Sequence, residues 1–377
     1  AFIDEARKES IDTLLTLDDQ RKRSSRLVVT GCMAERYGDE LAEALPEADQ
    51  IAGFGVPIQV GRKPIKVTGA VPKFDLLNLP RPKSSSPWAY IKIAEGCDRS
   101  CGFCAIPSFR GPQVSRDVSA ILAEVEQVDV REVVLVAQDL ASYGKDRPDE
   151  LGAGSIVQLV RDVSSMVDWV RLLYLYPSDL SDELIDAILA TGVPYFDLSL
   201  QHVSKAHLRR MRRWGDKDRF LERIERIRSI EPNATFRSNF IVGYPGETEE
   251  DHDQLLDFVR EAQLDWCGFF SFSPEDGTHA LTLPDHVEES LMHERLSELR
   301  EMQDNITAER RDALLGETIQ VLVDEPGIAR SFREAPEIDG VVQVPDTLEV
   351  GRFHTVVVEQ VFGPDLIAVP ADDAHGR

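Results

Sequence analysis

From Trp88 to about Ala308 the chain repeats one unit six times: a short apolar run, then a longer stretch of helical periodicity. The runs are YIKIAEG (90–96), EVVLVAQD (132–139), VRLLYLYP (170–177), YFDLSLQH (195–202), TFRSNFIVGYP (235–245) and WCGFFSFSP (266–274). Short strands separated by helices pair in parallel, because each helix carries the chain back to start the next strand in the same direction. The pattern predicts an open or closed α/β barrel. In such a fold the residues at the C-terminal ends of the strands surround one mouth, where function concentrates.

The flanks follow different patterns. AFIDEARKESIDTLL, RLVVTGC and AERYGDELAEAL read as helix, buried strand and helix, half of a small α/β domain. Pro72, Pro80, Pro82 and Pro87 with the Ser84–Ser86 run break regular structure and mark a linker. After HERLSELREMQDNITAERRDALLG the text turns to strands cut by Gly, Pro and Asp: ETIQVLVDE, DGVVQVP, RFHTVVVEQVF and LIAVP. That is a small all-β module. The expected division is 1–79 for the N-terminal domain, 80–87 for the linker, 88–311 for the barrel and 312–377 for the terminal module.

Forty-two basic residues against 67 acidic ones give a net charge of −25, which opposes attraction to a nucleic-acid backbone and favours a basic protein partner. No window approaches the roughly 18 apolar residues of a membrane span. The five cysteines are odd in number and clustered, unlike a secreted disulfide framework, so a soluble, cytoplasmic protein is expected. The chain opens at Ala1 inside a helical pattern, and further residues are expected upstream.

The strongest chemical signal is GCDRSCGFCAIPSFRG, which places Cys97, Cys101 and Cys104 in a Cys-x3-Cys-x2-Cys array just after the first barrel strand. Three thiolates on one loop can hold a cubane iron–sulfur cluster and leave one iron open to a ligand. A structural zinc site is the competing reading, but it wants four ligands, and no fourth Cys or His lies close by.

The array, with Phe103 before its last cysteine, resembles the signature of the radical S-adenosylmethionine (SAM) enzymes. The resemblance implies a partial (β/α) barrel of the radical SAM type, a [4Fe-4S] cluster on Cys97, Cys101 and Cys104, and SAM bound at the open iron. It narrows to the methylthiotransferases over nearly the whole chain. YIKIAEGCDRSCGFCAIPSFRG, LVAQDLASYG, YFDLSLQH, FRSNFIVGYPGET and FFSFSPEDGT stand in that family's order. IPSFRG and AQD resemble the RimO type, which modifies an aspartate of ribosomal protein S-twelve, more than the MiaB type, which modifies a tRNA adenosine. The terminal module resembles a TRAM domain, usually an RNA binder. Between Leu314 and Arg377 it carries twelve acidic residues against four arginines, and such a surface repels phosphate. A lysine- and arginine-rich ribosomal protein suits it better, although acidity can also serve solubility alone. A tRNA partner is disfavoured.

The resemblance also distributes roles. Gly243 in FIVGYPGET is expected beside SAM, and Phe103 at its adenine, against the alternatives of an ordinary tight turn and plain packing. Among polar residues near strand ends, Gln138, Gln201 and Arg237 are candidate SAM contacts, with Asp139, His202 and Asn239 beside them. Arg237 needs a counter-charge, either the SAM carboxylate or a neighbouring Asp. Thr248 is the expected start of a helix. Cys267 reads as core, and Arg209, Arg210, Arg212 and Arg213 as a solvated basic face.

Methylthiotransferases carry three further cysteines for an auxiliary [4Fe-4S] cluster, and Cys32 matches the third. One cysteine cannot hold a cubane, so the full-length protein is expected to supply the rest. The implied reaction removes a hydrogen from the β-carbon of an aspartate, inserts sulfur from the auxiliary cluster and adds a methyl group from a second SAM. A flavodoxin- or ferredoxin-like donor would supply electrons. A non-catalytic zinc scaffold is the remaining alternative.

Overall fold

The computed structural model describes residues 4–22, 24–54, 56, 83–152 and 154–374, which form two compact units. The first comprises residues up to 80 together with 97–112 and 273–282. The second holds 81–96, 113–272 and 283–377. Of the expected linker 80–87, residues 80–82 lie outside the described residues, and 83–87 form no regular element. Among the described residues no helix is long and apolar enough to cross a membrane.

In the first unit the helix Asp4–Gln20 is followed by strand β1 (Val28–Thr30), the helix Cys32–Ala44 and strand β2 (Gln50–Ala52). β1 and β2 pair in parallel, Val29 opposite Ile51. Val29, Met33, Leu41 and Leu45 form the small core, with Ile11, Leu14 and Tyr37 against it. Within this unit Glu275 anchors segment 273–282: Arg7 and Arg36 each donate to its Oε2 at 2.9 Å. The Ala280 N–H then bonds the Gly102 carbonyl at 2.8 Å, which ties that segment to the cysteine loop.

The second unit contains the predicted barrel. Its strands are β3 (Trp88–Lys92), a short β4 (Ala94–Glu95) antiparallel to β5 (Val114–Ser115), β6 (Glu132–Val136), β7 (Trp169–Leu172), β8 (Tyr195–Gln201), β9 (Thr235–Val242) and β10 (Trp266–Ser271). Parallel sheets β3-β6-β7 and β8-β9-β10 are joined by a parallel bridge between Leu175 and Leu198, giving a partial (β/α) barrel. The six predicted strands are all present. Three of the helices on this barrel begin where short polar residues cap them. Ser181 accepts the Leu184 N–H, Asp216 accepts that of Arg219, and Thr248 forms a capping box with Asp251.

After the long helix Glu289–Asp312, β11 (Thr318–Glu325), β12 (Ile328–Arg330), β13 (Val342–Gln343), β14 (Phe353–Phe362) and β15 (Asp365–Pro370) close into a barrel around Val321, Val323, Val342, Val356 and Leu366. The strand β12 was not expected. It is three residues long and framed by turn residues, too short to register as a pattern.

This small barrel is attached to the N-terminal ends of the larger barrel's strands. Glu132, the first residue of β6, pairs with Arg171 and Arg330 at 2.8 Å each, all three buried. Trp169 at the start of β7 packs edge-on against Phe353, the Tyr195 hydroxyl at the start of β8 bonds Asp339 at 2.6 Å, and Trp266 Nε1 at the start of β10 donates to the Arg333 carbonyl. The terminal module therefore floors the barrel and leaves the strand C-termini free to form a mouth.

Candidate active site

Each unit contributes a separate set of candidate residues. In the first, Cys97, Cys101 and Cys104 lie on an irregular loop that starts directly after β4 and ends in the short helix Ile106–Arg110. The loop is pinned at its base by the Cys97 N–H to the Gly111 carbonyl at 3.1 Å, and turned by the Cys104 N–H to the Cys101 carbonyl. Cys97 is buried, whereas Cys101, Phe103 and Cys104 are half-buried. The Arg99 N–H lies 3.4 Å from Cys97 Sγ. Three thiols on one loop, with a backbone donor aimed at a sulfur, fit an iron–sulfur cluster, whose potential such hydrogen bonds tune.

Cys32 opens the helix Cys32–Ala44 behind Gly31, whose φ of 100° only glycine adopts readily. Arg110, six residues beyond the cysteine array, donates to Cys32 Sγ at 2.7 Å and lies over the Phe54 ring.

In the second unit, the barrel mouth gathers Gln138, Gln201 and Gly243. Gln138 sits two residues past β6, and its Oε1 is buried without a hydrogen-bond partner among the described residues. Asn239 Oδ1 on β9 is in the same state. Buried acceptors are rarely left so, and a ligand donor would satisfy the one at the strand end, Gln138. Gln201 ends β8 with φ +69°, after a register shift that interrupts pairing to β9. Gly243, one residue past β9, has φ +84°, and its N–H donates to Glu247 Oε2 at 2.6 Å. A Cβ there would meet Met292 Sδ at 2.1 Å, so any larger residue would displace the Met292 side chain as well as strain the backbone.

Arg237 does not join this group. It is the third residue of β9, at the floor end. Its Nη1 donates to Asp197 Oδ1 at 3.1 Å, and its Nε lies 3.6 Å from Asp339 Oδ1. Burial works against its charge, but Asp197, Tyr195 and Asp339 more than offset that and raise its pKa. The counter-charge is a neighbouring Asp, and the expectation of a SAM contact is corrected on that ground. His202 follows directly on the end of β8. It is fully buried, and its Nδ1 accepts the Ser204 N–H at 3.1 Å, which leaves the proton on Nε2. His202, His207 and Glu247 bring ligand-type atoms within 4.8 Å of one another, yet a protonated Nε2 cannot coordinate a metal. Cys267 is half-buried, and burial pushes its thiol pKa up, in keeping with a core role.

Two residues went unread in the sequence: Glu247 and Asp197. Glu247 stands inside the quoted turn motif, and Asp197 is a carboxylate in the middle of a buried strand, a signal of a buried partner.

Comparison with known proteins follows the same division. The chain matches the radical SAM superfamily over residues 91–259, the TRAM domain over 315–370 and the uncharacterized protein family UPF0004 over 1–53. The ribosomal protein uS12 methylthiotransferase RimO of Moorella thermoacetica is 41% identical over 380 residues, 96% of this chain and 87% of that protein. The chain belongs to this methylthiotransferase family. The RimO protein of Cutibacterium acnes is 40% identical over 428 residues, covering 98% of this chain and 89% of its own. Among solved structures, coproporphyrinogen III oxidase (HemN) from Escherichia coli, a radical SAM enzyme, aligns with 61% of this chain and 59% of its own at 16% identity, with a TM-score of 0.45. As a family member this chain is a radical SAM methylthiotransferase, with a [4Fe-4S] cluster and SAM as its cofactors.

Proposed function

We propose that the protein adds a methylthio group to the β-carbon of an aspartate in ribosomal protein S-twelve, in the cytoplasm, with a flavodoxin- or ferredoxin-like electron donor. The observation that carries this reading is the near full-length similarity to RimO proteins whose name states that substrate. A cluster on Cys97, Cys101 and Cys104, with SAM bound, supplies the one-electron chemistry needed to break a C–H bond that no side-chain base can ionise. Within the chain, Phe103 is assigned to the adenine, Gln138 and Gln201 to hydrogen bonds from the strand ends, and Gly243 to the close backbone approach. Cys32 is assigned to the auxiliary cluster. One thiol does not complete that site, and no step is routed through it. The functional division is 1–79, 80–87, 88–311 and 312–377.

Charge supports a basic protein over tRNA. Of the four arginines beyond Leu314, Arg330 is buried in ion pairs and Arg333 bonds Asn233, which further thins the positive surface an RNA would need. The test is to reconstitute the full-length enzyme anaerobically, supply SAM, a reductant and either the ribosomal protein or tRNA, and locate the methylthio group by mass spectrometry. Modification of the aspartate is expected. Modification of a tRNA adenosine overturns the assignment.

A further inference from the structure

A cavity of about 570 Å³ lies beside β10. Trp266, Cys267 and Gly268 all line it. Successive side chains of a strand point to opposite faces, so three consecutive residues share one cavity only along the strand's edge. Among the described residues β10 pairs with β9 alone, which leaves that edge without a partner strand. The long helix Glu289–Asp312 contributes Gln303 and Asp304 to the wall, and the terminal module contributes Asp339.

Unpartnered acceptors and charge decide what fits. Gln303 is 3% exposed, and its Nε2 donates to the Leu264 carbonyl at 2.9 Å and to Thr307 Oγ1 at 3.0 Å, which fixes the amide's orientation. Its Oε1 is left buried without a donor among the described residues. Asn239 Oδ1, in the same state, lies against Gly268, where a Cβ would come within 2.5 Å of it. Buried acceptors of this kind call for a donor. Arg237 also lines the cavity, but Asp197 and Asp339 together more than balance it, and the exposed Asp304 adds a third carboxylate. Burial raises the Asp339 pKa to about 6, against the opposing pull of Tyr195, Ala335 and Arg237, so it stays ionised at neutral pH. The cavity is negative. Trp266, Ile338 and Pro364 add apolar surface to its wall.

A group that suits it carries positive charge and several N–H donors at the end of an apolar stem. Arginine meets all three demands, whereas lysine presents its donors from a single point. We propose that this cavity docks an arginine side chain of the protein substrate, held by Gln303 Oε1 and the Asp304 carboxylate, while the barrel mouth takes the residue to be modified. The assignment rests on the reading that the substrate is a basic ribosomal protein. From Gly268 to Ser271 β10 rises about 10 Å toward the mouth, so one short extended segment spans both places. Acidity over the terminal module attracts a basic partner from a distance, and the cavity fixes where along that partner the enzyme stops.

The test uses the full-length reconstituted holoenzyme with ribosomal protein S-twelve, and measures KM and kcat for methylthio product. Agmatine, which carries the arginine side chain's guanidinium, is the competing probe, and cadaverine is its ammonium control. Agmatine is expected to raise KM without changing kcat, and cadaverine to do so far less. Asp304→Asn should raise KM about threefold to fivefold, as for a partly exposed charge pair. Asp304→Arg, which brings its own guanidinium to the cavity, should raise KM further and abolish the effect of agmatine. Glu349→Gln removes an exposed carboxylate of the same module outside the cavity wall and should leave KM near the wild-type value. Equal shifts from Asp304→Asn and Glu349→Gln, or a KM that neither agmatine nor Asp304→Arg moves, overturn the docking site alone. No aspartate product from the wild-type enzyme overturns the substrate reading and the docking site with it.

Discussion

Glu247 holds Gly243: one carboxylate oxygen accepts the glycine N–H at 2.6 Å, and the other accepts Arg295 from the long helix Glu289–Asp312 at 2.9 Å. A side chain four residues ahead thus fixes the turn that ends β9, and the helix fixes the side chain. Burial raises the Glu247 pKa, only partly countered by the Gly243 N–H and Arg295.

Glu247→Ala leaves the buried Arg295 with the exposed Glu249 as its remaining carboxylate partner among the described residues, and is expected to cost about 3 kcal/mol. Glu247→Gln can still accept the Gly243 N–H and should cost clearly less. Urea denaturation measures both; equal losses would show that the contact with Gly243 contributes nothing.

His207 provides a pH test. Burial lowers its pKa to about 4, with Asp251 opposing and Arg210 and Arg295 reinforcing the shift. The unfolded chain protonates this histidine near 6.5 and the folded protein only near 4, so stability is full above about 6.5 and falls as pH drops through that window. The loss by pH 4 is roughly 3 kcal/mol. His207→Gln should flatten the stability curve between pH 6.5 and 4; an unchanged slope would sink the idea.

The floor of the barrel depends on Glu132. Burial opposes its charge, but Arg330 and Arg171 overcome that and hold its pKa low. Glu132→Ala removes the carboxylate paired with buried Arg171 and one of the two paired with Arg330, which keeps Asp324, and is expected to destabilise by about 3 kcal/mol. Because Arg330 belongs to the terminal module, calorimetry should resolve two transitions in the variant where the wild type has one. A single transition at the wild-type temperature would contradict this role.

The cysteines should divide by iron content. Reconstituted Cys97→Ala, Cys101→Ala and Cys104→Ala are each expected to lose the iron and visible absorbance that their loop supports, whereas Cys267→Ala should keep both. Cys267, with its raised thiol pKa, should also resist iodoacetamide at neutral pH. Loss of iron in Cys267→Ala would require a new account of the barrel's lower wall.

The six barrel strands, the cap at Thr248 and the cysteine loop were legible in the sequence because each is written in neighbouring residues: apolar runs, a capping pair three residues apart, three ligands within eight positions. The Arg237 assignment failed because a strand's residues do not announce which end of the barrel they reach. β9 places Arg237 at the floor, and Gly243, six residues further on, lies just past its end at the mouth.

The sequence by itself determined the element types, their order and the donor set on the cysteine loop, since those follow from local periodicity and residue chemistry. Only the tertiary structure decided that Arg237 spends its charge on Asp197 and Asp339, and that Tyr195 meets Asp339 across 144 positions. Those outcomes depend on register and on which distant charges come to share a low-dielectric interior. Both are set by how strands and modules pack, and no short stretch of the chain contains that information.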